Sequence, residues 1–302
     1  AQTVQGTDIA TYSYKLISKV MEANPRVVAA IIDFEKELPL NWDLSNAFEV
    51  TAELLPVKNY AGDIIANSAV SKSPRNIVRA YTSAVPEIGK PRQGRYVVIE
   101  FNPYDSNASS WYFGFNPGIR QAIDYGNNMV YEVKLKHDLN YLTPDITSGK
   151  VTKPSPSIQI IKQNSVFRLA GTSILYADEF INAMYTDSTN PTIKSIGYNF
   201  YAPKTKSGEK MPLVLFLHGS GQSHDYINLS NNLLADVKSP LLANQGGVAW
   251  IENGKERCFV LVPQMPARDT KDPQGRSGWI NAETQKLLVG LLDMIIEQNP
   301  NI

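Results

Sequence analysis

His218, Gly219, Ser220 and Gly221 stand in succession directly after the unbroken apolar run Leu213-Val214-Leu215-Phe216-Leu217. Glycines beside Ser220 let the backbone turn sharply and leave amide N–H groups aimed at a ligand. His218 adds an imidazole, the side chain whose charge changes nearest neutral pH. The five apolar residues have no polar alternation and predict a strand buried on both faces, as in the middle of a parallel sheet. Open α/β sheets place their sites at the carboxyl ends of such strands.

The rest of the chain must supply that sheet. With 302 residues there is length for about two domains. Hydrophobic residues at 43% and charged residues at 19% describe a globular protein and exclude wholesale disorder. Basic and acidic residues balance at 29 each, so no net field draws in nucleic acid or an anionic membrane, and neither is expected as a partner. No apolar run is long enough to cross a bilayer. The single cysteine, Cys258, opens an apolar strand and reads as a buried structural thiol. The start Ala1-Gln2-Thr3 suits a mature secreted or periplasmic protein, with the cytoplasm as the alternative.

Up to about residue 24 the polarity is mixed and predicts no element. From there to about residue 162 the pattern is β. Residues 27–34 are apolar and branched, while residues 48–54, 97–101 and 129–135 alternate with period two, one face toward a core and one toward water. Turn signals such as Asn24-Pro25 and Asn116-Pro117-Gly118 separate them, so residues 1–163 predict an antiparallel sandwich. Trp111-Tyr112-Phe113-Gly114-Phe115 is a core strand or, alternatively, a sugar- or polymer-binding platform. Residues 150–156 suit an interdomain connection. Beyond it, residues 180–185 and 195–201 read as strands, 226–237 as a helix capped by Asp225, and 259–262 as a second fully apolar strand. After a polar loop, Asn281 caps a helix whose apolar stripe is Leu287, Leu288, Leu291, Ile295 and Ile296, closed by Asn299-Pro300.

Taken together, His218-Gly219-Ser220-Gly221 and its strand resemble the third strand and HG-x-G oxyanion loop of α/β-hydrolase esterases, where a backbone N–H meets the tetrahedral intermediate. Tyr198-Asn199-Phe200-Tyr201-Ala202-Pro203 with Met211-Pro212 is similar to the family's approach to that strand. Phe259-Val260-Leu261-Val262-Pro263-Gln264 resembles its fourth strand, and Gly278-Trp279 stands before the next helix. A sandwich in front of such a domain resembles the immunoglobulin-like domain of a subgroup of these esterases. The resemblance implies an immunoglobulin-like sandwich over residues 1–163. The amino-terminal half of an α/β-hydrolase domain would follow over 164–302, its sheet mostly parallel with helices on both faces.

Acyl transfer on this fold needs a serine in G-x-S-x-G, then an acid and a histidine. Gly219-Ser220-Gly221 fails because His218 and Gln222 hold the flanking positions, and Gly275-Arg276-Ser277-Gly278 fails because Trp279 replaces the second glycine. The triad is therefore expected beyond residue 302. So is the strand that pairs the open edge of 213–217, in a carboxyl-terminal half carried by the same or a separate chain. By resemblance, the backbone of Ser220 with Gly219 and Gly221 forms the oxyanion site. His218 holds the loop through its ring, the alternative being a catalytic base. Gln222, with His218 and Trp279, faces substrate; Trp279 lines a pocket or anchors the next helix. Gln222 and His224 both depart from the family's usual residues. No metal or organic cofactor is implied. The expected activity is hydrolysis of a small-molecule or polymer ester, with the sandwich shaping the entrance or mediating homo-oligomerisation. The alternatives are a non-catalytic carbohydrate- or polymer-binding module, or a peptidase or depolymerase on the same fold.

Overall fold

The protein is represented by a computed structural model. It describes residues 9–22, 24–40, 42, 44, 46–58, 64–66, 70–116, 119–124, 129–143, 157–219, 238–242, 246–252, 257–265 and 278–302. The chain divides into two compact units. The first comprises Ala1–Lys19, Arg26–Ser110 and Tyr125–Ser173; the second comprises Val20–Pro25, Trp111–Asp124 and Ile174–Ile302.

The strands up to residue 174 are β1 (Thr11–Val20), β2 (Pro25–Leu38), β3 (Phe48–Leu54), β4 (Val57–Lys58), β5 (Ile64–Ala66), β6 (Val70–Pro74) and β7 (Ile77–Ser83). They continue with β8 (Gly94–Phe101), β9 (Trp111–Asn116), β10 (Ile119–Asp124), β11 (Met129–Leu135), β12 (Leu139–Thr143), β13 (Ser157–Ile161) and β14 (Val166–Ile174). A five-stranded sheet, β14-β1-β2-β8-β7, packs on a three-stranded one, β11-β3-β6. Across the interlayer space Phe101 meets Tyr131 at 6.3 Å and Phe167 meets Phe48 at 6.4 Å between ring centroids. The period-two residues Phe48, Val50, Ala52 and Leu54 all point into this core. β1 was not legible because its buried residues Tyr12, Tyr14, Leu16, Ser18 and Val20 include two phenols and a hydroxyl. β14, which starts past residue 163, pairs with β1.

In the second unit β9 and β10 form a hairpin. Trp111 is buried beside Leu241, Leu242, Val260 and Val262, so its indole belongs to a core rather than to an exposed platform. The side chains of Tyr112, Phe113 and Phe115 lie outside the described residues, as do 225–237, 150–156 and His224. The remaining strands are β15 (Ile181–Thr186), β16 (Ser195–Tyr201), β17 (Leu213–Leu215) and β18 (Phe259–Gln264), and the helices are α1 (Ser239–Leu242), α2 (Ala249–Glu252) and α3 (Ala282–Gln298). The sheet order is β15-β16-β18-β17.

Two expectations are corrected here. The sheet is not mostly parallel among the described residues: β15/β16 and β16/β18 are antiparallel and β17/β18 alone is parallel. Nor is the 213–217 run the doubly buried centre. β18 is, with all six residues buried, whereas β17 is half-buried and Leu217 is exposed. The cause is position, because among the described residues β17 pairs along one edge, with β18.

β18 alternates its side chains between two cores. Val260 and Val262 pack with Leu241 and Leu242 of α1 on one face, and Phe259 and Leu261 with Leu287, Leu291 and Ile295 of α3 on the other. Asn281 caps α3, its side-chain oxygen accepting the N–H groups of Glu283 and Thr284 at 2.8 and 3.3 Å. The buried stripe is Thr284, Leu287, Leu291 and Ile295. Leu288 is half-buried, and Ile296, expected inside, is exposed because it lies one position round the helix from Ile295. Among the described residues no helix is long and apolar enough to cross a membrane.

Candidate functional site

β17 and β18 run parallel, so their carboxyl ends emerge together. His218 follows β17, and Met265 follows β18. His218 is 3% exposed. Its Nε2 accepts the Met265 backbone N–H at 2.9 Å and its Nδ1 lies 2.8 Å from the Gly219 carbonyl. That pattern assigns the neutral tautomer with hydrogen on Nδ1, which donates to Gly219. Burial pushes the imidazole below its ordinary 6.5, against an opposing effect of the Gly219 hydrogen bond. Both nitrogens are committed, so no lone pair is left for a general base.

Trp279 reaches the same point from the other side. Its indole N–H donates to the His218 carbonyl at 2.9 Å, and its ring stands edge-on to the imidazole at 5.3 Å. Gly278 makes this approach possible. Its φ is +75°, and a Cβ there would lie 2.3 Å from the Met265 sulfur. The Trp279 carbonyl accepts from Gln285 of α3 at 3.1 Å, and the half-buried indole packs against the Phe259, Leu261 and Leu287 cluster.

Gly219 is the last described residue of the loop. A Cβ on it would meet no atom of the described residues within 4 Å, and its φ is outside the left-handed region. Neither strain nor packing in the described protein accounts for a glycine here. Its N–H has no hydrogen-bond acceptor among the described residues. Ser220, Gly221 and Gln222 lie outside the described residues, as does 266–277. The structure therefore brings together His218, Gly219 and Trp279 of the expected site residues. It adds Met265, which reasoning from sequence missed because it contributes a backbone N–H rather than a side chain. Among the described residues no cluster of His, Cys, Asp or Glu could hold a metal ion.

Among the described residues no strand pairs with the outer edge of β17. The groups of Pro212 and Phe216 point to β18, with Phe259 N–H on the Pro212 carbonyl and Phe216 N–H on that of Leu261, both 2.9 Å. Leu213 and Leu215 therefore face the other way. On that side, at the strand's beginning, Met211 N–H donates to the Asn301 carbonyl at 2.8 Å. Lys210 Nζ holds the carbonyls of Pro300 and Ile302 at 2.6 and 2.9 Å.

Residues 13–174 match the family described as the esterase Ig-like N-terminal domain. The chain belongs to that family. A solved structure similar to this family member is the crystal structure of a thermostable esterase, with a TM-score of 0.62 and 22% identity, covering 96% of this chain and 67% of that one. At that identity the likeness is one of fold. No curated protein matches the chain. The family's immunoglobulin-like region thus carries Trp111, whose indole packs in the second unit's core.

Proposed function

We propose that the second unit is the amino-terminal half of an α/β-hydrolase domain and that the protein hydrolyses carboxylic esters through a serine acyl-enzyme. The Gly219 and Ser220 amides would stabilise the oxyanion. The observation that carries this reading is the Gly219 N–H, which has no acceptor among the described residues, at the carboxyl end of the parallel β17/β18 pair. Family membership and a structural neighbour that is itself an esterase support the general activity.

In the proposed reaction a serine hydroxyl, deprotonated by a histidine, attacks the ester carbonyl. The developing oxyanion is held by the loop amides, the alcohol leaves with the proton, and water then releases the acid. Residues 1–302 contain no G-x-S-x-G, so the nucleophile, acid and base would come from sequence outside them. The β17 edge, unpaired among the described residues, supports this. A strand arriving beside Asn301 would run parallel to β17 and present its carboxyl end next to Gly219. No metal or organic cofactor is required.

The test is hydrolysis of short- and medium-chain p-nitrophenyl esters by the full-length protein, combined with labelling by a fluorophosphonate probe. Turnover with label on a serine outside residues 1–302 is the expected result. Failure to hydrolyse any of these esters, or turnover unaffected by the probe, overturns the proposal.

A further inference from the structure

We infer that Trp279 is a positioning residue whose indole N–H, by fixing the His218 carbonyl, sets the direction in which the Gly219 amide points. The inference rests on the oxyanion reading above and names how that site is held.

The His218 carbonyl and the Gly219 N–H belong to one planar peptide, and in a trans peptide they point in opposite directions. Trp279 captures the carbonyl at 2.9 Å from the protein side. The amide of the same unit is thereby turned the other way, where it meets no acceptor among the described residues. The Gly219 carbonyl is held as well, since the imidazole donates to it at 2.8 Å while anchored to Met265 at 2.9 Å. Two successive carbonyls are thus each taken by an aromatic side chain, and the Gly219 amide between them is left without an acceptor among the described residues.

Trp279 is itself rigid enough for this role. Gly278 admits the approach, Gln285 fixes the Trp279 carbonyl, and the ring packs on the core beneath α3. An indole that only lined a pocket would need no partner for its N–H at this carbonyl. An oxyanion donor works because it is oriented before the charge appears, so a residue that fixes the orientation acts on the transition state without touching substrate.

The test replaces Trp279 by 3-benzothienylalanine, which keeps ring size and packing but has sulfur for N–H, with Trp279→Phe as the genetically encoded second variant. In the wild type, slow hydrogen exchange of the Trp279 indole N–H is expected, and exchange at the rate of free indole overturns the inference without any variant. In the analogue the Gly219 amide resonance should move while those of β15 and β16 stay; an unmoved Gly219 resonance overturns it. In the full-length protein kcat should fall about 10-fold or more with KM within about 2-fold, because the lost interaction belongs to the transition state. Unchanged kcat, or a raised KM with unchanged kcat, overturns positioning in favour of a pocket wall. A wild type without esterase activity defeats the proposed function alone, because the exchange and resonance readouts need no turnover.

Discussion

Replacing His218 by phenylalanine isolates what the imidazole nitrogens do, because a benzyl ring keeps most of the volume and the edge-on contact with Trp279. The variant leaves the Met265 N–H and the Gly219 carbonyl without their partners. Each buried group left unpaired costs about 1–3 kcal/mol, so the loss should be roughly 2–6 kcal/mol. That is a large share of the ~5–15 kcal/mol that holds a domain together. Urea unfolding followed by tryptophan fluorescence measures it. The same pair of proteins tests the protonation state. The folded-state pKa of His218 is depressed from 6.5, so the unfolded chain binds the proton first as pH falls. The contribution is therefore complete above 6.5 and is lost as pH drops through the folded value. One proton limits the slope to about 1.4 kcal/mol per pH unit. The protein has three histidines and the variant keeps the other two, so the difference between the two curves belongs to His218. A variant within about 0.5 kcal/mol of the wild type, or a difference curve flat from pH 7.5 down to about pH 4, would refute the assigned hydrogen bonds.

Gly219→Ala should fold with stability equal to or up to about 1 kcal/mol above the wild type, since its Cβ has open space and alanine restricts the unfolded chain. On the proposed reading, ester turnover in the full-length protein should nevertheless fall, because the methyl would crowd the loop that holds the oxyanion; unchanged kcat/KM would contradict the site. Arg75→Met should destabilise the first unit by about 3–5 kcal/mol in a denaturant titration, because the buried guanidinium bonds Asp105, Tyr131 and the carbonyls of Val27 and Asn102. Burial alone would raise the Asp105 pKa, but hydrogen bonds from Asn76 and Arg75 hold it below its ordinary 3.8; the stability this gives is present above 3.8 and lost as pH falls through the folded value, so the loss on acidification should be smaller in the variant. Trp111→Ala should cost about 3–5 kcal/mol and loosen the second unit, read as faster exchange of the β18 amides. Amides in the β18/β17 pair of the 302-residue chain should show protection at Phe216 and none at Leu213 and Leu215, the reverse pattern refuting the open edge.

The parts legible in the sequence were those where one face is wet and the other dry. β3 and β11 declared themselves by alternation, and α3 by its cap and most of its stripe. Continuous apolar runs identified β17 and β18 as strands but could not rank them, since hydrophobicity measures tolerance of burial rather than the number of neighbours. β18 is covered on both faces and paired on both edges, while the equally greasy β17 lies at the rim of the described sheet. Gly219 was read as a turn glycine, yet its backbone is not left-handed; what distinguishes it is that a Cβ there meets no atom of the described residues within 4 Å. Met265 and the indole-to-carbonyl bond were beyond reach, because backbone partners leave no residue-type signature.

The described part of the site contains no charged group among its hydrogen-bond partners: an amide, a neutral imidazole, an indole and two carbonyls complete it. A protonated His218 would offer its Nε2 hydrogen to the Met265 N–H, donor against donor, in a place that is already costly for a charge. The loop is therefore held best when nothing near it is ionised. On the proposed reading its field on an oxyanion would come from peptide dipoles, which do not titrate, and would weaken only when acid forces a proton onto the ring. If the proposed mechanism holds, any ionisation that governs ester turnover above that point would belong to the nucleophile's own base and acid. The pH–rate profile of the full-length protein and the stability profile of His218 should consequently be separable, and the former should survive a shift in the latter.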